Sequence, residues 1–175
     1  MMLTPHHWFM GPPSKPRTLE SLIETYHASV GSNCVLELGM AVDHTGVVPA
    51  DQVQLATQFG TWVKACYGSP VVLWTATDSG GGSAVTLTLQ RPTTIDRVSI
   101  GEDLSFGQLI RMYKISVRES AGVAWRPFSE GTGVGNKKID ISAKPMVVQA
   151  LLLNVTQAVG VPHIKRFAAF APCAS

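Results

Sequence analysis

Glu20, Glu24 and Glu37 are the first three carboxylates of the chain, and no acidic side chain precedes them. Glu20 and Glu24 stand four apart in a segment with helical spacing, which puts both on one turn-to-turn face, as expected of a solvated charged surface. Glu37 is the odder residue, because it interrupts the apolar run Cys34–Met40. A carboxyl buried there would have its pKa raised and could serve as an acid; the alternative is a residue at a solvent-facing position. No pair of carboxylates suited to joint acid/base work can be assembled from these positions. The three cysteines, Cys34, Cys66 and Cys173, are far apart and lack metal-ligand spacing, so no metal site is expected. An odd count leaves at least one thiol free, and Cys34 and Cys66 read as small buried hydrophobes. Asn154-Val155-Thr156 is an N-glycosylation sequon set in an apolar run that reads as a strand.

The elements that would position these residues change character part-way along the chain. Of 175 residues, 45% are hydrophobic and 15% charged, enough for a sizeable core, and the net charge of +2 does not argue for a nucleic-acid partner. No apolar run approaches the roughly 20 residues of a membrane span. "MMLTPHHWFMGPP" has neither the basic nor the apolar region of a signal peptide. After the proline-rich "GPPSKPR", Thr18 can cap a helix whose apolar face is Leu19, Leu22, Ile23, Tyr26 and Val30, with Gly31 as its stop. Cys34–Met40 reads as a short strand and "DHTG" as a turn. Pro49 and Asp51 open a second helix with Val53, Ala56, Phe59, Val63 and Cys66 inward. Residues 17–68 thus read as α–β–α.

From Val71 the period becomes two. "AVTLTLQ" sets Val85, Leu87 and Leu89 against Thr86, Thr88 and Gln90. "TTIDRVSIG", "GQLIRMYKISV", "VAWRPF", "KKIDIS", "VVQALLLNV" and "IKRFAAF" follow, separated by the turn candidates "DSGGGS", "EGTGVGN", "AKP" and "VGVP". The expected fold is mainly β: a jelly-roll β-sandwich over residues 71–175, preceded by an α–β–α piece over residues 1–70. The sandwich is expected to fold alone. The leading piece is not, because its apolar helix faces have little of their own to cover them.

The order helix, "SVGSN", apolar strand, "DHTG", helix resembles the last step of the catalytic barrel in α-L-fucosidases of glycoside hydrolase family 29, closest to the branch that includes the plant enzymes. The β half resembles the galactose-binding-like (discoidin-like) sandwich that follows that barrel. There "EDLSFGQLIRMYKISV", a tryptophan and "GTGVGNKKID" match a pattern of acidic turn, Gly-Gln, strand, tryptophan and Gly-Lys-Lys/Arg.

The resemblance implies a retaining hydrolase of terminal α-L-fucose, plausibly α-1,3/1,4-linked, with a fucosylated glycan as substrate and no metal or organic cofactor. Retention needs two carboxylates roughly 5 Å apart. In the family both lie on earlier barrel strands, so the expectation is a C-terminal part with no catalytic residue of its own, inactive alone and lacking the N-terminal barrel. It also implies a secretory-route parent (extracellular, vacuolar or lysosomal). Trp8 aligns with a family tryptophan near the fucose pocket and is the candidate substrate contact, packing of the barrel rim being the alternative. The family's next aromatic and histidine fall on Met10 and Gly11, while His6 and His7 precede Trp8. Asn33 keeps a family asparagine that ties loop backbone, whereas Gly39, Ala41 and Val42 replace an asparagine and two prolines on the catalytic face. In the sandwich Glu102, Asp103, Gln108, Trp125, Lys137 and Lys138 carry the likeness. They read either as a glycan-binding face centred on Trp125, or as a capped strand, a core tryptophan and loop lysines. A stand-alone carbohydrate-binding or structural module is the rival to an enzyme part.

Overall fold

The computed structural model describes residues 2–4, 11, 14–76 and 82–173. Strands β1 (Leu3–Thr4) and β2 (Lys15–Pro16) form a two-stranded ribbon, followed by helices α1 (Leu19–Ser29) and α2 (Ala50–Tyr67). Then come β3 (Val72–Thr75), β4 (Ala84–Glu102), β5 (Ile110–Arg118), β6 (Arg126–Gly131), β7 (Lys138–Ala158) and β8 (Ile164–Phe170), with a 3-10 turn at Leu104–Phe106. These six strands form one antiparallel sheet in the order β3-β8-β4-β7-β5-β6.

That sheet doubles over on itself because β4 and β7 are long enough to serve two layers. Residues 84–88 of β4 pair with 150–154 of β7, which also pairs with β5; residues 97–102 pair with β8, and 97–100 also with 138–141 of β7. The register shifts between those halves. From Ile95 to Arg97 β4 advances two residues, while β7 runs from Met146 back to Ile141, five residues. The extra length is the "AKP" stretch, expected as a turn between strands and found instead as an outward bend inside β7. Pro145 has no N–H to give a ladder, which suits it to such an irregularity. Leu87, Ile115 and Leu153 from one layer meet Val98, Ile100 and Phe167 from the other in a single core. The alternation read in "AVTLTLQ" holds: Val85, Leu87 and Leu89 are buried and Thr86, Thr88 and Gln90 exposed.

The helices form a third layer. Thr18 caps α1, its hydroxyl accepting from the Ser21 N–H at 3.2 Å, and Leu22 and Tyr26, one turn apart, are buried. On α2 the buried residues are Gln52, Leu55, Cys66 and Tyr67, while Val53, expected inward, is 48% exposed. The inner stripe is rotated because Gln52 is drawn in. Its amide donates to the Ala41 carbonyl at 2.8 Å and accepts from the Ala41 N–H at 3.0 Å, doing for that residue what a neighbouring strand would do.

Residues 34–40, expected as a strand, belong to no sheet among the described residues. A barrel strand exists by pairing on both edges; here, among the described residues, the Cys34 N–H bonds to the Ser29 carbonyl, the Gly39 carbonyl accepts from the Met2 N–H and Ala41 is held by the Gln52 amide, and none of these is a strand ladder.

The helix faces do find a cover. Tyr26, Cys66 and Tyr67 pack with Ile139, Ala168 and Phe170 on the outer face of the β3-β8-β4 layer. Two more connections hold this contact. The exit of α1 pairs with the start of β7 through Asn33 N–H to Lys137 C=O and Ile139 N–H to Gly31 C=O, both 2.9 Å. Cys66 and Cys173 form a disulfide, so Cys66 is buried as half of a cystine and not as a thiol, and Cys34 is an exposed free thiol. Sequence spacing could not reveal this pairing, because the two residues lie 107 apart and meet only when α2 docks beside the end of β8.

The docked surface holds an aromatic and cationic cluster. His27 Nε2 lies 2.6 Å from the Tyr67 hydroxyl, the Arg97 guanidinium sits 5.2 Å from the Tyr67 ring centre, and Lys137 donates to the Tyr26 hydroxyl at 3.0 Å. Burial, opposed by Arg97, pushes the Tyr67 phenol up to about 12, so it keeps its proton and can donate it to His27. Burial first and the Arg97 charge second lower the His27 pKa below 6.5, with Asp96 opposing. The unfolded chain therefore takes up a proton at His27 before the folded one does. Stability present above pH 6.5 is expected to fall as the pH drops below that value. Melting temperatures of the wild type and of His27→Gln between pH 5 and 7.5 check this: the variant should show a flatter profile across the window.

Candidate functional site

The residues that carry sequence likeness in the sandwich converge, with one exception, on a polar knot where two loops meet the exit of α1. Glu102, 3% exposed at the end of β4, is its centre. Its Oε1 accepts from the Leu109 and Ile110 N–H groups at 2.8 and 2.9 Å, and its Oε2 from the Gly135 N–H at 2.7 Å. A single side chain thus fastens the 103–109 loop to the 132–137 loop and starts β5. Asp103 accepts from the Ser105 N–H at 3.0 Å and caps the 3-10 turn, and that bond with the Ser105 side chain's help lowers its pKa. Asn33 Oδ1 accepts from the Asn136 N–H at 2.6 Å, and its Nδ2 reaches Gln108 Oε1 at 3.4 Å. Asn33 does this from φ 67°, a left-handed conformation that asparagine tolerates better than most residues. Gly135, at φ 63°, lies hard against that asparagine side chain, where a Cβ has no room. Lys137 is half-buried against Tyr26, and Lys138, also half-buried, lines a shallow pocket with Ser32, Asn33 and Gln108.

This arrangement organises backbone and offers no acid or nucleophile. Glu102 is consumed by three N–H groups. Asp140 accepts from the Tyr113 hydroxyl at 2.8 Å and from Ser129 at 2.7 Å, and Asp96 pairs with Arg97 at 2.8 Å. Glu37 faces solvent, as the plainer of its two readings had it. Among the described residues no group of His, Cys, Asp or Glu side chains is placed to hold a metal.

Trp125 is the exception. It lies on the β5–β6 connection, 38% exposed, with the Arg118 guanidinium 4.7 Å from its ring centre. It does not fill the sandwich core, which corrects the core reading of that residue. The loop from Ala121 to Pro127 is exposed throughout, so no layer closes over the ring. Asn154 stands on β7 with its side chain on the exposed face of the sheet, as does Thr156.

A Bacteroides thetaiotaomicron crystal structure described as a "putative alpha-L-fucosidase" superposes on 97% of this chain with a TM-score of 0.87 and 29% identity, this chain covering 38% of that one. The chain shares the fold of part of a protein described as an α-L-fucosidase. A Ruminococcus gnavus GH29 fucosidase solved in complex with fucose shares the fold over 97% of this chain and 40% of its own, at 21% identity and a TM-score of 0.78. The rice (Oryza sativa subsp. japonica) "Putative alpha-L-fucosidase 1" is 22% identical over 93% of this chain and 37% of its own length. The chain thus spans about a third of the length of the curated relatives it matches. No protein-family profile matches it.

Against that fucosidase frame, Gly39 falls in the 34–40 segment, and Ala41 and Val42 directly follow it. The Gly39 carbonyl is bonded to Met2, and Ala41 is buried under Gln52. Trp8, with His6, His7 and Met10, lies outside the described residues; Gly11 is exposed. Sequence reasoning missed Gln52, Tyr113 and Arg97. A buried glutamine or arginine carries no local signal, since only the three-dimensional arrangement supplies the partners that make its burial affordable.

Proposed function

We propose that this chain forms the last β/α step and the sandwich of a retaining α-L-fucosidase acting on terminal, α-1,3/1,4-linked α-L-fucose of glycans. The observation that carries the reading is the near-complete superposition on a fucosidase-like protein of more than twice its length. The 34–40 segment supports it, since an apolar segment that joins no sheet among the described residues is what a preceding barrel would cover. The nucleophile and the acid/base then come from that barrel, and this chain contributes a rim and a brace. Trp8 is the proposed substrate contact on the rim. The division proposed here puts residues 1–70 with the barrel and 71–175 with the sandwich. A disulfide and an accessible sequon at Asn154 both support a secretory-route parent, where oxidation and glycosylation occur.

The purified chain, incubated with an aryl α-L-fucoside, is expected to show no turnover above the buffer blank. Turnover abolished by Glu37→Gln would overturn the assignment of catalysis to an absent barrel. A second reading, a carbohydrate-binding module, is favoured by the exposure of Trp125 beside Arg118.

A further inference from the structure

We propose that the outer face of the β3-β8-β4 layer carries a binding cleft for an acidic saccharide, a sugar bearing a carboxylate or a sulfate ester. The proposal rests on the glycan-processing role above but concerns a different place from any barrel pocket or Trp125. The cleft has a volume of about 370 Å³ and is lined by Thr75, Ser99, Asn136, Lys137, Lys165 and Arg166 among others. That is the lower range of small-ligand sites.

Strand pairing explains how the cleft is built. Arg166 of β8 has Thr75 of β3 as its cross-strand partner on one side and Gly101 of β4 on the other. All three therefore share one face of the sheet. Ala168, two residues on, shares it too and packs under the helices, so Arg166 stands on the helix-covered face just beyond the helices' edge. Gly101 lets the Asn136 backbone come close to the sheet at this point. A Cβ there would lie 2.9 Å from the Asn136 carbonyl and 3.9 Å from the Arg166 Cβ. The wall opposite is Asn136-Lys137, held in place by the Glu102 and Asn33 bonds described above.

The charge in the cleft is one-sided. Among the described residues Lys137, Lys165 and Arg166 line it, and the acidic residue that lines it, Glu102, is 3% exposed with both oxygens engaged by backbone N–H groups. Arg166 is exposed and makes no hydrogen bond or ion pair with another side chain among the described residues. Lys165 is exposed and sees the Asp103 carboxylate only at a distance, through its charge. Among the described residues no aromatic side chain lines the cleft, so none of them can stack there on a neutral ring. Recognition is instead expected from an anionic group on Arg166 and Lys165, with the exposed Thr75 and Asn136 available to surrounding hydroxyls.

The test is binding to the intact oxidised chain, followed by chemical-shift perturbation or calorimetry. The probes are a glucuronic acid disaccharide, a sulfated monosaccharide, their neutral counterparts and sodium sulfate, all at low ionic strength. We expect both acidic sugars to bind at least tenfold more tightly than the neutral ones, and more tightly than free sulfate. Arg166→Gln should weaken them at least tenfold and the Arg166→Gln/Lys165→Gln pair should abolish binding, while Lys114→Gln, an exposed lysine of β5 away from the cleft, leaves it unchanged. Both substitutions are on exposed side chains, and an unchanged melting temperature confirms the fold. Equal binding of neutral and acidic sugars, equal binding of free sulfate, or wild-type binding by the double variant would each overturn the proposal. Because the assay reads binding and no hydrolysis, its failure leaves the fucosidase reading standing, and failure of that reading leaves the binding result intact.

Discussion

Reduction of the Cys66–Cys173 disulfide is expected to release the helical layer from the sandwich. The bond closes a loop of 107 residues, and in the chain-entropy account a loop of that length contributes about 4–5 kcal/mol. For a chain of this size that is a fall in melting temperature of roughly 10 °C or more. The loss should also be uneven. The sandwich core of Leu87, Ile115, Leu153, Ile100 and Phe167 is internal to residues 71–175, whereas Tyr26, Tyr67 and Phe170 form a contact between the helices and the sheet. Limited proteolysis of the oxidised chain should leave both parts resistant. Proteolysis after reduction, or of Cys66→Ser, should trim the chain to a fragment beginning near Val71. Equal resistance before and after reduction would show that the aromatic contact alone suffices.

Glu102→Ala is expected to be the most damaging point substitution away from the apolar core. It leaves the N–H groups of Leu109, Ile110 and Gly135 without their acceptor in a site that is 3% exposed. At about 1–3 kcal/mol for each buried group left unsatisfied, and allowing for partial rescue by water, a loss of about 3–5 kcal/mol follows. Glu102→Gln should lose less, since its amide oxygen can still serve one loop. Because the same side chain begins β5 and fixes the 132–137 loop, hydrogen exchange should accelerate at Leu109, Ile110 and Gly135 together. Acceleration at one loop alone would mean that the two are held independently.

The sandwich was legible in the sequence because its strands bury one face and expose the other, so period two survives wherever Thr, Lys or Gln alternates with Val, Leu or Ile. The joins were harder. "AKP" reads as a turn because proline and a lysine outnumber apolar residues there, yet the chain bends and continues in the same ladder. The acidic turn was read as one of two things, and Glu102 shows it is a brace, because a glutamate's acceptors are defined by which loops fold over it. Trp125 carries no pattern that separates rim from core, and the structure puts it on the rim. The strand expected at 34–40 is a strand only with neighbours, and the alternation of Leu36 and Leu38 could not say whether neighbours are present. The family likeness supplied what periodicity could not, the expectation that such a segment has its neighbours in a barrel.

The most direct test of the central claim, that this chain is the C-terminal part of a fucosidase whose chemistry resides in the barrel, is turnover by a graft. The matching C-terminal part of the Bacteroides thetaiotaomicron relative, with which this chain superposes at a TM-score of 0.87, is replaced by this chain. Hydrolysis of an aryl α-L-fucoside is then compared with that of the relative's barrel alone. The account predicts that a folded graft regains turnover that the barrel alone lacks. A folded graft that is no more active than the barrel alone would contradict it.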